Sequence, residues 1–265
     1  MPPYRLAAAT CTLALLVAGC SSSSSGNGKS TSAGATQSSS PSVPASSSSS
    51  SQSGADNAAL VPADLNTKVL PAVLAQKTFH IVGSGDDGSG NSLAFDIHYG
   101  TNGSAGTIAV SGTTLKLLVV GTDSYLNATT AFWQAVLAGQ SSASITAATV
   151  ANKWVKVNAT GSNYKELFSL MDPKQFLTQA QNDTSTVTKV GNTTYKGQPA
   201  VEFKDSKDQS TIYIRRYGAP LPIAISSPPS SSAGAGSFAF SDYGTPYTVA
   251  SPPPGEVFDL TPYQH

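Results

Sequence analysis

The chain has 265 residues and carries 15 basic and 15 acidic side chains, so its formal net charge is zero. Such a balance excludes the strongly basic surface that nucleic acid or an anionic membrane would attract. Both cysteines, Cys11 and Cys20, lie near the start, which excludes a disulfide framework or a cysteine-based metal site in the remaining chain.

Residues 1–19 have the pattern of a bacterial lipoprotein signal peptide. Arg5 supplies one positive charge, and residues 6–18 are almost wholly apolar or small, too few to span about 30 Å of hydrocarbon as a helix. The stretch ends in the letters VAGC, a lipobox that predicts cleavage before Cys20 and a lipid on its thiol. We therefore expect a protein anchored by lipid on the outer face of the cytoplasmic membrane. An uncleaved anchor and an ordinary secretory signal are the alternatives.

Residues 20–57 form a predicted tether of low complexity that begins at the lipidated Cys20. Serine accounts for 18 of the 33 residues from 21 to 53. A segment of this composition buries too little apolar surface to offset its ordering entropy, so it is predicted to be a disordered linker. Its root-mean-square span is about 30 Å, which keeps the following domain near the membrane but free to reorient.

Residues 58–265 are long enough for one globular domain with a sizeable core. Their dominant pattern is apolar–polar alternation between turn signals, which predicts antiparallel strands with one apolar face. The clearest apolar positions of this kind are Leu93, Phe95, Ile97, Tyr99, Val201, Phe203, Phe238 and Phe240. Residues 115–120 are apolar on both faces, which predicts a central strand that is covered on both sides.

Helical signals are few and cluster in the middle of the domain. Phe132 and Trp133 lie in an apolar helical pattern over residues 130–138. A second helix is predicted over residues 163–171, where Asn163 and Glu166 form a variant of the capping box. A third begins at Asp172-Pro173, an N-cap followed by proline at the first helical position.

These elements predict an α+β fold, in which a single large curved antiparallel sheet of about 10–11 strands forms a half-barrel and a few helices pack on its concave face. The helices are too short to cover the whole apolar face of such a sheet. The remaining apolar surface either packs on itself or encloses a ligand, and the sequence pattern is compatible with both.

The order of the elements over residues 68–260 resembles the LppX/LprG-type lipoproteins of actinobacteria and, more distantly, the LolA-like superfamily of lipoprotein and lipid carriers. The segments that carry the resemblance are 154–157 (WVKV), 195–201 (YKGQPAV), 212–215 (IYIR), 218–222 (GAPLP), 240–244 (FSDYG) and 250–253 (ASPP). The resemblance implies a half-barrel with an apolar cavity between sheet and helices that takes the acyl chains of lipids or glycolipids. It implies no individual contact residue, because the family has no residue motif for its ligands.

Candidate ligand contacts are therefore chosen from their predicted face and position. They are Phe95, Ile97, Leu115, Leu117 and Val119 on the sheet and Phe132, Trp133, Phe168 and Phe176 on the helices. Transfer of a sixteen-carbon chain from water into such a site contributes about 13 kcal/mol, at about 0.8 kcal/mol per methylene. The alternative is that these side chains simply form the core.

Catalytic and metal motifs point to no site, and we expect no catalytic residue, metal or cofactor. Ser162 and Lys165 match the Ser-x-x-Lys nucleophile pattern, but its partner motifs are absent, and a helix start explains the serine better. The histidines His80, His98 and His265 lack metal-ligand spacing, and His98 is predicted to be solvated on the polar face of its strand.

Two functions follow, neither of them enzymatic. The first is a monomeric, membrane-anchored lipoprotein that binds an acylated lipid or glycolipid and takes part in lipid transport in the cell envelope. The second is an interaction or sensor domain on the same fold, with a filled core and an unidentified envelope protein as partner. An unfilled apolar cavity favours the first function, whereas a large exposed apolar patch favours the second.

Overall fold

The computed structural model describes residues 54–86, 91–138, 145–161, 164–179, 184–229 and 235–263. The predicted signal peptide, the lipidation site Cys20 and most of the predicted tether lie outside these ranges. Asn163 and Ser162 also lie outside them.

Twelve strands within the described residues form one open, curved and mostly antiparallel sheet. The strands are β1 Phe79–Asp86, β2 Ser92–Gly100, β3 Gly103–Val110, β4 Thr113–Val120, β5 Asp123–Asn127, β6 Trp154–Val157, β7 Val187–Tyr195, β8 Gln198–Asp205, β9 Thr211–Arg215, β10 Pro222–Ser227, β11 Gly236–Ser241 and β12 Val257–Asp259. The predicted α+β half-barrel is confirmed. Its extra strand, β12, has three residues and pairs in parallel with β6, so it is too short to show alternation in the sequence.

The order across the sheet is β12-β6-β5-β4-β3-β2-β1-β11-β10-β9-β8-β7. Two meanders therefore meet where β1 pairs with β11, and we call this contact the central pairing. Hairpins within the meanders close tightly. Ser111 and Gly112, which join β3 to β4, both have positive φ, as do Lys196 and Gly197 between β7 and β8. That combination is typical of the two-residue turns that match the twist of antiparallel strands.

Alternation along the strands gives the sheet two different faces. The covered face meets the helices, and the open face lies on the opposite side. In β4, Leu115 and Leu117 are buried on the covered face, while Leu118 points to the open face. Leu118 is buried there as well, because Val249 from the segment after β11 packs against it. The prediction that this strand is covered on both sides is confirmed.

The helices are all short. A π-helical turn, Leu65–Val69, runs into α1 Leu70–Leu74, and the others are α2 Thr130–Leu137, α3 Ala147–Val150, α4 Lys165–Ser169 and α5 Pro173–Gln179. Single 3₁₀ turns cover Asn57–Ala59, Pro254–Glu256 and Thr261–Tyr263. Within the described residues, no helix has the length and apolar character needed to cross a membrane.

The predicted N-cap at Asp172 is confirmed, and a further N-cap at Thr129 was not predicted. Thr129 caps α2 by accepting a hydrogen bond from the Phe132 N–H at 3.5 Å, and Asp172 caps α5 by accepting one from the Lys174 N–H at 2.8 Å. The helix predicted from residue 163 begins instead at Lys165, and Tyr164 occupies its N-cap position. The predicted box between Asn163 and Glu166 therefore does not coincide with the start of this helix.

The sequence prediction missed the helical segment Leu65–Leu74. Pro71 interrupts its pattern, but in the structure this residue lies in the first turn of α1, where a missing N–H costs little. Leu65 and Val69 from this segment cover the end of the sheet formed by β7, β8 and β9. They pack on a second core cluster that contains Leu60, Val187, Val201, Phe203, Ile212 and Ile214.

Candidate functional site

All nine side chains predicted to contact a ligand lie together between the covered face and the helices. Seven of them are between 0% and 8% exposed, and they belong to one core cluster. Val119 and Phe176 are partly buried and pack against that cluster. The sequence therefore predicts the composition of this layer, although burial alone does not distinguish a ligand contact from a core residue.

Strand register arranges the sheet side of the layer in rows. Phe95 lies opposite Ile108, which in turn lies opposite Leu115, so that the three form one row across β2, β3 and β4. In the next row Gly106 separates Ile97 from Leu117. The covered face is thus a continuous apolar surface, with a glycine rather than a side chain at one central position.

An aromatic group joins this surface to the helices. Phe95 stacks on Phe238 of β11, with ring centroids 5.1 Å apart, and the rings meet over Gly83 of β1. A Cβ atom at Gly83 would come within 2.3 Å of the Phe238 ring, so the stack requires glycine there. Phe176 of α5 meets Phe95 edge-on at 6.1 Å. These ring contacts join α5 to the centre of the sheet.

Two hydrogen bonds fix the end of α4 to the covered face. The Tyr99 hydroxyl donates to the Leu170 carbonyl at 2.6 Å, and the Ser104 hydroxyl donates to the Met171 carbonyl at 2.7 Å. Burial raises the pKa of Tyr99 well above its usual range, so its hydroxyl stays protonated and remains a donor. The Leu170 and Met171 carbonyls follow the end of a short helix, where carbonyl groups lack partners within the helix. Hydroxyl groups of the sheet supply the missing hydrogen bonds.

Trp133 of α2 is the most enclosed residue of the layer. Its side chain is 0% exposed and meets the ring of Phe132 edge-on, with centroids 5.3 Å apart. The indole Nε1–H is buried but has no acceptor among the described residues. A buried donor without a partner costs about 1–3 kcal/mol, so the position calls for an explanation.

The nine side chains include no titratable group, and together they form a surface suited to contact with an apolar molecule. Lys165 of the Ser-x-x-Lys pattern is exposed at the start of α4.

The open face carries a separate hollow of ≈ 470 Å³ that the sequence prediction did not include. Most of its lining is small or polar, and it extends across β11, β1, β2, β3 and β4. The lining residues are Val82, Gly83, Ser84, Ala94, Phe95, Asp96, Thr107, Ala109, Thr114, Lys196, Ser237 and Ala239.

Near this hollow the structure brings together two histidines that the sequence prediction treated as separate. His80 and His98 are direct partners in the β1–β2 ladder, and their rings stack with centroids 3.6 Å apart. His98 lies on the polar face of its strand as predicted and its side chain is 37% exposed, but its ring also contacts those of His80 and Tyr247. Alternation in the sequence places both imidazoles on the polar side of their strands, but their contact depends on the register in which β1 and β2 pair.

No family model and no curated protein matches the chain. Among solved structures, it is similar to an uncharacterized conserved protein from Thermus thermophilus, with 10% identity over 72% of this chain and 96% of that chain and a TM-score of 0.34. It is also similar to MucB in complex with MucA(peri), with 14% identity over 73% of this chain and 58% of that chain and a TM-score of 0.34. Both TM-scores are low, and function is therefore inferred from the chain's own residues.

Proposed function

We propose that the domain is a non-enzymatic lipid-binding module that takes one acyl chain of a lipid or glycolipid between the covered face and the helices. The buried, unpaired N–H of Trp133 in an otherwise apolar layer is the observation that carries this proposal. A ligand with an ester or amide carbonyl next to its acyl chain would supply both the missing acceptor and further apolar contact.

The construction of the helix layer supports entry of a chain. The helices α2 to α5 have between 4 and 8 residues. Helices this short are marginal in isolation, because about 12–15 residues are needed for stability in water. Their order depends on packing against the sheet, so they can move apart at a lower cost than the strands beneath them.

The energetics favour the exchange of internal contacts for a ligand. A sixteen-carbon chain contributes about 13 kcal/mol on leaving water. Pairing the Trp133 N–H removes its desolvation cost of about 1–3 kcal/mol in addition. For binding to be favourable, this gain must exceed the cost of displacing a short helix from the layer.

The site of action follows from the predicted anchor. A lipid on Cys20 and a serine-rich tether would hold the domain on the outer face of the cytoplasmic membrane, within about 30 Å of lipid. A module held there can take up or deliver an acylated molecule of the envelope, and we infer that lipid transport is its role.

The two tryptophans of the chain allow a direct test of the proposal. Trp133 lies in the proposed site, whereas Trp154 packs in the cluster on the open face. The chain from residue 21 onward would be exported with an ordinary secretory signal and titrated with a fatty acid brominated along its chain, because bromine quenches indole fluorescence on contact. The W154F variant, which retains Trp133, should be quenched, and the matched W133F variant should not.

Organic extraction of the same protein, followed by lipid mass spectrometry, would name the ligand class. A stoichiometric acylated species is expected. A clean extract together with equal, weak quenching of both variants would overturn the proposal.

That result would favour a second candidate function, an envelope interaction domain with a solid core. This second function is supported by the near-complete burial of seven of the nine side chains that were predicted to contact a ligand. Its partner would then be a protein, and none of the nine side chains would contact a ligand.

A further inference from the structure

Two imidazoles and a carboxylate converge on the open face, beside the central pairing. His80 and His98 are opposite each other in the β1–β2 ladder, and Asp96 lies two residues before His98 on the same face of β2. One nitrogen or oxygen atom from each residue lies within 4.8 Å of the atoms from the other two. The positions depend on a regular strand pair and not on a loop, so the three side chains are brought together by the backbone.

The distances between these atoms fit a shared ion. The Nε2 atom of His80 lies 2.8 Å from Oδ1 of Asp96, and Nδ1 of His98 lies 3.8 Å from the same oxygen. Ligand atoms around a tetrahedral zinc ion are about 3.3–3.4 Å apart, since each lies about 2.0–2.1 Å from the metal. The two observed distances fall on either side of that value, and to bind one ion the stacked rings of His80 and His98 would have to rotate so that their ring planes converge on it.

The surroundings of His80 are those of a metal-bound imidazole. Its second ring nitrogen, Nδ1, lies 3.5 Å from Oδ2 of Asp242 and 3.3 Å from the Ser241 hydroxyl. The Ser241 hydroxyl in turn donates to the Asp242 carboxylate at 3.0 Å. Histidines that bind metals characteristically direct their other N–H at a carboxylate, which fixes the orientation of the ring. Asp242 would play that part for His80.

Two carboxylates, those of Asp96 and Asp242, lie near different nitrogen atoms of the His80 ring. A neutral imidazole has one N–H and cannot donate to Asp96 and Asp242 at the same time. An ion bound at Nε2 of His80 would leave its Nδ1–H to donate to Asp242. In the tautomer that carries its proton on Nε2, the Nδ1 atom of His98 has a lone pair available for a metal, 3.8 Å from Oδ1 of Asp96.

We propose that His80, Asp96 and His98 bind one divalent transition-metal ion, with Zn²⁺ as the ion to test, and that Asp242 orients His80 from behind. The side chains of Asp96 and His98 are 55% and 37% exposed, so water can complete the coordination. This inference is independent of the lipid-binding proposal, because the cluster lies on the opposite face of the sheet.

The test uses the full-length chain, purified in detergent without a polyhistidine tag and carrying C11S and C20S so that no thiol competes for metal. After treatment with a chelator, Zn²⁺ alone is titrated by calorimetry and by competition with a chromogenic chelator. One ion per chain is expected. The affinity should fall by about 100-fold or more in H80N, H98N or D96N, and by about 10-fold in D242N.

The third histidine of the chain provides a matched control. H265N should bind Zn²⁺ as the parent chain does, and all variants should keep the far-ultraviolet circular dichroism of the parent. Because the ion would bind the folded state, Zn²⁺ should also raise the Tm of the parent and of H265N but not of H98N. Equal binding by the parent and H98N, or loss of binding in H265N, would overturn the proposal.

Discussion

The two faces of the one sheet are built on different principles. The covered face is a continuous surface of large apolar side chains, and two buried hydroxyls fix the end of a helix to it. The open face is mostly small or polar, and among the described residues the segment after β11 crosses part of it. Asn102 holds that segment by exchanging two hydrogen bonds with the backbone of Val249, each 2.9 Å long. Stability is therefore expected to concentrate on the covered face, and recognition of polar partners on the open one.

Adjacent residues of β4 give the strongest test of this contrast. L117A removes a fully buried side chain from the covered face and should lower the free energy of unfolding by about 2–5 kcal/mol. K116A, one residue away on the open face, should change it by no more than about 0.5 kcal/mol. Urea denaturation followed by circular dichroism measures both. Similar losses in the two variants would mean that the faces do not differ in this way.

Leu118 tests whether the cover of the open face contributes as much as the helices do. L118A should cost about 2 kcal/mol, at the lower end of the range for leucine, because its cluster contains few buried residues. The same denaturation experiment applies. A loss as large as that of L117A would show that the crossing segment is part of the main core.

The Y99F variant tests the hydrogen bond between the Tyr99 hydroxyl and the end of α4. The substitution keeps the ring, which contacts Phe79, but leaves the Leu170 carbonyl without its donor. The expected loss is on the order of 1 kcal/mol. Y263F, at a tyrosine that is 43% exposed, is the matched control and should be neutral. If hydrogen exchange in residues 165–171 is unchanged in Y99F, the bond does not hold α4 on the sheet.

The smallest effect concerns pH. A hydrogen bond from the Val61 N–H lowers the pKa of Asp64 below its ordinary value of 3.8, and the ion pair with Lys68 lowers it further. Burial acts in the opposite direction. A carboxyl whose pKa is lower in the folded state stabilises the fold above that ordinary value, and the contribution disappears as pH falls through the folded pKa. D64A should therefore lose on the order of 1 kcal/mol at neutral pH and less in acid.

A second variant separates the charge of Asp64 from its hydrogen bond. D64N keeps an oxygen for the Val61 N–H but carries no charge. It should remain closer to the parent in stability and lack this part of the pH dependence. Denaturation at pH 7 and pH 3 distinguishes the variants, and a D64A loss that does not change with pH would contradict the assignment.

Period-two alternation was sufficient to predict the sheet and the composition of the covered face, because each side chain's face follows from its position in a strand. It could not predict which side chains meet across strands. His80 and His98 are neighbours only because β1 and β2 pair in one particular register. The short helices were predicted where a cap such as Asp172 marked the start, and the segment around Pro71 was missed because its packing partner, the end of the sheet at β7 to β9, lies far away in sequence.

The central pairing has a consequence for how the chain folds. Ile81 of β1 lies opposite Phe240 of β11, about 160 residues further along the chain, whereas most other neighbouring strands are joined by short turns. Each meander can form locally, but a contact of such high sequence separation must close a long loop first, which slows folding. Until β11 pairs with it, one edge of β1 has unpaired backbone groups. The longer this state lasts, the more opportunity another chain has to add a strand to that edge.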